Sequence, residues 1–192
     1  MAIYSLQCEM TYAEALRKLS PSGVLSSLRR WIGGPLHGIA EIYIPYRLYR
    51  VAIDDRGIRS VRYYAIDAAA GTLDPYEFHG PPDPHSLIEV DTRNFHPVRL
   101  DEDRTKKAVT EKVRRLLYSR GFFRLANPVI TAELMESEFY IPYWAGFYGD
   151  EQHVSVTVLN AVRQTVEGSK VRRLVEAWLL ERDSQRELNL AS

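Results

Sequence analysis

The sequence predicts an α+β fold: a tandem duplication of a unit made of one helix and a three-stranded antiparallel meander, with extra helices and a closing C-terminal helix. Three observations predict it. Residues 41–46 read Glu-Ile-Tyr-Ile-Pro-Tyr and residues 138–143 read Glu-Phe-Tyr-Ile-Pro-Tyr, a match at five of six positions. The segments that follow, 64–74 and 157–167, align type for type once the second hairpin is shortened by four residues, and that loss falls at a turn, where insertions and deletions are tolerated. Each copy also follows an amphipathic helical segment. The expected organisation is a first repeat over 1–80, a proline-rich linker or arm over 81–100, and a second repeat with the C-terminal helix over 101–192.

Thr11-Tyr12-Ala13-Glu14 has capping-box spacing and opens a short helix with Ala13, Leu16 and Leu19 on one side. Ser20-Pro21 starts a second helix to about Trp31, with proline at its first position, and Gly33-Gly34-Pro35 ends it. Residues 41–53 are rich in Tyr, Ile and Val and read as a strand. Asp54 to Gly57 turn it, 59–67 return, and a turn at Ala68 to Gly71 leads into a third strand at 72–78. Four of the ten prolines fall in 75–85, the mark of a linker or an ordered extended arm. Leu87 to Val90 add a short strand. Asp101 or Asp103 caps a helix over 102–120 whose apolar stripe is Val109, Val113, Leu116 and Leu117. Residues 122–136 read as a helical turn around Asn127-Pro128. The second meander is 138–148, 152–160 and 164–167, with Val154, Val156 and Val158 alternating against Ser155 and Thr157. Ser169 opens the closing helix to about 188, with Val171, Leu174, Val175, Trp178 and Leu179 buried.

Composition bounds the function. Lys and Arg total 25 and Asp and Glu total 25, so net charge is zero and no bulk attraction to nucleic acid or an anionic membrane is expected. A single cysteine, Cys8, excludes an internal disulfide. No apolar run approaches the roughly 18–20 residues of a membrane span, and the first residues lack a basic and apolar leader pattern, so a cytoplasmic location is expected.

The residues carrying a candidate site are aromatic. In a strand, alternate residues share a face. Phe139, Ile141, Tyr143 and Phe147 lie on one face, and Tyr140, Trp144 and Tyr148 on the other. In the first copy Ile42, Ile44, Tyr46 and Leu48 share a face, with Tyr43, Arg47 and Tyr49 opposite. A half-wetted sheet needs one apolar face, so the second requires a partner. Packing against the other repeat or a dimer mate is the simple account; an aromatic surface for a protein, peptide or small ligand is the functional one. Tyr43, Arg47, Tyr49, Tyr140, Trp144 and Tyr148 are therefore the binding candidates. Pro45 and Pro142 each remove a ladder donor at the same place in the repeat, which suggests an edge strand or a bulge.

Other groups carry weaker signals. His79, Asp83, His85, Asp91 and His96 are metal-ligand types within eighteen residues, but their spacing fits no zinc pattern and reads as a solvated linker. Cys8 would need a histidine and an electropositive pocket to act as a nucleophile. The pairs Arg29-Arg30, Lys106-Lys107, Arg114-Arg115 and Arg172-Arg173 have acidic neighbours and read as solvated helix faces. There is no phosphate loop, dinucleotide fingerprint, serine nucleophile elbow or zinc-protease motif, and no cofactor is expected.

The order helix, strand, turn, strand, Asp-Ala-x-x-Gly turn, strand resembles PepSY-like domains and the wider cystatin-like group. The residues that carry the resemblance are Tyr49 to Ile53, Gly57, and Tyr64-Ala65-Ile66-Asp67-Ala68-Ala69-Ala70-Gly71-Thr72-Leu73. In the second copy Asn160 replaces the Asp and Gln164 the Gly. The resemblance covers about a third of the chain and implies a helix laid on a curved meander, serving as a binding, inhibitory or chaperone module. The expectation is a non-catalytic binding or protein-interaction module, acting on a protein or peptide partner or on itself. The alternative is a small-molecule-binding protein or enzyme with a cystatin-like pocket lined by Tyr63, Tyr64, Asp67 or His153.

Overall fold

A computed structural model describes residues 1–20, 34–55, 57–81, 83, 86–119, 128–149 and 154–190. The architecture is mixed α+β. Among the described residues there are eight strands: β1 (Ala2–Leu6), β2 (Leu36–Asp55), β3 (Ile58–Asp67), β4 (Tyr76–Phe78), β5 (Leu87–Asp91), β6 (Val129–Gly149), β7 (Val154–Asn160) and β8 (Thr165–Val166). They form a large, mostly antiparallel sheet, accompanied by three helices, α1 (Tyr12–Leu19), α2 (Glu102–Ser119) and α3 (Ser169–Leu190). The helix expected to start at Ser20-Pro21 falls on 21–31, outside the described residues.

The chain divides into two compact units, and each gathers segments from both halves of the sequence. The first comprises Met1–Leu6 and Ile44–Tyr140; the second comprises Gln7–Tyr43 and Ile141–Ser192. The boundaries fall at matching places in the two hexamers, between Tyr43 and Ile44 and between Tyr140 and Ile141. This differs from the expected consecutive halves 1–80 and 101–192. The reason is the length of β2 and β6, each of which runs through a hexamer and contributes to both units.

In the first unit the strand order is β4-β3-β2-β6-β1-β5. Strands β2 and β3 pair antiparallel from Asp55↔Ile58 to Tyr46↔Asp67. Gly57, with φ 84°, makes the turn between them, and its N–H donates to Asp54 Oδ1 at 3.0 Å. Helix α2 covers this sheet: Val109, Val113 and Leu117 pack with Tyr49, Val51, Ile53, Tyr64, Ile66, Ile130 and Ala132. Its start is held by Asp101, whose Oδ1 accepts from the Arg104 N–H at 2.8 Å.

The described residues of 81–100, expected as a linker or arm, belong to the first unit. Strand β5 pairs antiparallel with β1 along its length, from Ala2↔Asp91 to Leu6↔Leu87. Strand β1 itself is an addition to the expected elements. His96 is buried, and the N–H groups of Arg99 and Leu100 both donate to Ala68 O, at 2.9 and 3.0 Å. The span 129–136, the end of the mixed stretch expected to hold a helical turn around Asn127-Pro128, is the first part of β6; Val129-Ile130-Thr131 are β-branched, which suits an extended backbone.

In the second unit β6 continues, pairing with β7 from Gly149↔Val154 to Tyr143↔Asn160, and β7 pairs with β8. Helix α1 has the full capping box: the Thr11 hydroxyl accepts from the Glu14 N–H, and the Glu14 carboxylate accepts from the Thr11 N–H. Ala15 and Leu19 pack with Met10, Trp144, Leu159 and Ala161. Gly146 permits the close approach, since a Cβ there would meet both Leu19 methyl carbons at 3.1 Å. Helix α3 buries Val171, Leu174, Val175 and Trp178.

Candidate functional site

The candidate aromatic residues divide between the units. In the first, Tyr49 is fully buried under α2, and its hydroxyl lies 2.6 Å from Thr105 Oγ1 and donates to Glu102 O at 3.2 Å. Two residues earlier, Arg47 Nη1 donates to Leu100 O at 2.8 Å, and Nη2 reaches Glu138 Oε2 at 3.5 Å. Both side chains thus tie β2 to the start of α2. Tyr140 is 9% exposed, with the Phe95 ring edge-on at 6.0 Å.

In the second unit Trp144 is 8% exposed, donates from Nε1 to Met10 O at 3.2 Å and meets the Tyr12 ring edge-on at 5.8 Å. The Tyr148 hydroxyl donates to Leu19 O at 2.6 Å, at the end of α1. Tyr43 is 5% exposed. Five of the six candidates therefore meet helices or loops of their own chain through the face expected to need a partner. Arg47 and Tyr148 stay partly exposed.

Burial moves the titration of three of these hydroxyls upward: Tyr43, where Glu41 adds to the effect; Tyr49; and Tyr140, where Glu138 adds to it. A phenol whose folded pKa is raised keeps its proton in the native state above pH 10, where the unfolded chain loses it. The linkage therefore lowers stability as pH rises through about 10 and leaves it unchanged below that. Absorbance at 295 nm is expected to show these three tyrosines silent until the chain unfolds in alkali. Three tyrosines titrating normally in the folded protein would contradict this. Burial likewise pushes the Cys8 thiol up, with Glu41 contributing, which keeps it protonated and unreactive at neutral pH.

Two of the residues proposed to line a pocket, Asp67 and Tyr64, have structural work. Asp67 is fully buried, and its carboxylate accepts three backbone N–H groups: Ala70 at 2.8 Å and Gly71 at 2.7 Å on Oδ1, Leu73 at 2.8 Å on Oδ2. The Tyr64 hydroxyl donates to Glu77 at 3.2 Å, beside the Arg62–Glu77 ion pair at 2.8 Å. His153 lies outside the described residues.

A matching turn stands in the second unit. Asn160, also buried, accepts from the Val162 and Arg163 N–H groups on Oδ1 at 3.1 and 2.9 Å, and its amide donates to Glu167 at 3.0 Å. Four residues after the Asx residue the backbone is left-handed in both turns: Gly71 has φ 67° and Gln164 φ 58°. Gln164 donates from Nε2 to Glu9 O at 3.2 Å, and its carbonyl accepts from Lys18 Nζ at 2.7 Å. Gly71 has less room, because a Cβ there would meet Leu100 Cδ1 at 2.9 Å. Gly71→Ala is expected to cost about 1–2 kcal/mol in urea unfolding, from the left-handed backbone and the displaced Leu100. No loss of stability would show that the turn can rearrange.

Of the metal-ligand types, His79 and Asp83 are exposed, His96 is buried, and Asp91 binds the Met1 amino group at 2.7 Å; His85 lies outside the described residues. Among the described residues no three His, Cys, Asp or Glu side chains gather as metal ligands, and no helix is long and apolar enough to cross a membrane. Thr105 was not visible as a site residue from sequence, although it sits one turn after the Asp101 cap and faces Tyr49. Comparisons with models of protein families, with curated proteins and with solved structures return no match.

Proposed function

We propose that this chain is a non-catalytic binding or protein-interaction module built from two copies of a PepSY-like or cystatin-like helix-and-meander unit. One observation carries the reading: the polar atoms of four of the six candidate residues are committed to holding the scaffold. Arg47, Tyr49, Trp144 and Tyr148 bond to backbone carbonyls at helix starts and ends, and Asp67 and Asn160 bond to their own turns. A catalytic site needs such groups converging on a reacting atom instead.

Duplication is supported by paired bonding. The Ala68 N–H donates to Pro45 O at 2.8 Å, and the Ala161 N–H donates to Pro142 O at 3.0 Å. Tyr46 pairs with Asp67 and Tyr143 with Asn160, the same positions of the two hexamers against the same positions of the two turns. With the aromatic faces covered, contact with a partner falls to exposed apolar side chains on ordered strands, such as Tyr4, 59% exposed on β1, and Ile88, 41% exposed on β5.

The test is photo-crosslinking in cells from a benzoylphenylalanine placed at position 4. A discrete macromolecular adduct that is lost on Glu89→Arg, at the residue paired with position 4 on the same face, is expected. Absence of any adduct, with a rise in melting temperature on adding small metabolites, would favour the small-molecule reading instead.

A further inference from the structure

We infer that the partner each repeat recognises is the other copy of the repeat, and that the chain meets this need internally by exchanging helices: α1 covers the second meander and α2 the first. The inference rests on the duplication proposed above and extends it to the helices. The correspondence is positional. Thr11 caps α1 and Asp101 caps α2, and ninety residues also separate Ala15 from Thr105 and Leu19 from Val109, the buried pairs on the two helices.

The backbone before each cap bonds in the same way. Two residues ahead of Thr11, the Glu9 N–H donates to Ala161 O at 3.2 Å. Two residues ahead of Asp101, the Arg99 N–H donates to Ala68 O at 2.9 Å. Ala68 and Ala161 are the alanines that bond the hexamer prolines Pro45 and Pro142. Each meander therefore presents one docking carbonyl and one apolar face, and each takes a helix on them in the same way. Yet Glu9 and α1 precede the first hexamer while serving the meander of the second, whereas Arg99 and α2 precede the second hexamer while serving the first. The Lys18–Gln164 and Gln164–Glu9 bonds fasten the first of these exchanged helices to its turn. Each aromatic face thus takes its cover from the helix that precedes the other hexamer: Val109 and Val113 pack with Tyr49, and Ala15 and Leu19 pack with Trp144.

The experiment uses the full chain carrying a specific protease sequence in place of Gly80-Pro81. After cleavage, the two fragments are expected to co-elute as one species, because each compact unit holds segments from both sides of the cut. Elution as two separate folded fragments would overturn the exchange. In the uncut chain, native-state hydrogen exchange of Leu19→Ala is expected to speed about tenfold or more at 156–161 while 60–66 stays unchanged, and Val109→Ala is expected to do the reverse. Acceleration at 60–66 in Leu19→Ala, or equal acceleration at both places, would overturn it too. Because β1 also pairs with β5 across the cut, the hydrogen-exchange pair is the outcome specific to the helices; the interaction-module reading stands or falls on the crosslinking from position 4.

Discussion

Replacing Asp67 with alanine is expected to lower the unfolding free energy by about 3–4 kcal/mol, because three backbone N–H groups lose an acceptor in a buried turn. Asp67 lies at the end of β3 opposite Tyr46, and the turn it holds places Ala68 against Pro45, Arg99 and Leu100. Loss of the carboxylate therefore loosens the end of the meander and the approach to α2 together. Asp67→Asn is the informative companion. It gives the first turn the residue found in the second, where one side-chain oxygen serves two N–H groups. About half of the loss is expected, since the Leu73 N–H would lose its acceptor. Urea titration separates the two variants, because a change of this size moves the midpoint by about 1 M or more at ordinary m-values. Equal stability of Asp67→Ala and the parent would show that water replaces the carboxylate without cost.

Trp144→Ala is expected to cost about 3–5 kcal/mol, the usual range for deleting a buried ring with its hydrogen bond. The ring sits between β6 and the loop entering α1, donating to Met10 O and meeting Tyr12 edge-on. Met10, Ala15, Leu19, Leu159 and Ala161 share its cluster, so the cavity opens where α1 rests on β7. Trp144→Phe keeps most of the apolar area and loses the Nε1–H donor; a cost of about 1–2 kcal/mol is expected. A tryptophan serving mainly to bind a partner would behave differently: Trp144→Ala would leave the urea midpoint unchanged.

Local signals were legible in the sequence. Thr11 and Glu14 announce a capping box, Asp54 and Gly57 a turn, and the alternation of Val154, Val156 and Val158 a strand wetted on one side. The Asp67–Gly71 turn was legible as well, and aligning it with 160–164 marked Gln164 as the residue in the place of glycine. Its left-handed backbone agrees with that alignment. Strand β1 escaped notice because five residues, Ala2 to Leu6, offer too little pattern and depend on β5, more than eighty positions away, for their pairing. The first part of β6 escaped notice because Pro128 and its neighbours resemble a turn. The composition of the two units was not legible for a different reason. Both helix stripes are short apolar rows with no mark of the meander they cover, and the contacts that join helix to meander are between distant residues such as Glu9 and Ala161. The aromatic residues at 43, 49, 140 and 144 showed the need for a cover, and the helices and loops that supply it lie elsewhere in the sequence.

Amide exchange at the two turns, resolved residue by residue by NMR, tests most directly whether one device is used twice. Slow exchange is predicted for Ala70, Gly71 and Leu73 and for Val162 and Arg163, with Asp67→Ala releasing only the first set and Asn160→Ala only the second. Rapid exchange of either set in the parent protein, at the rate of an open loop, would contradict a paired, side-chain-locked turn and with it the duplicated scaffold.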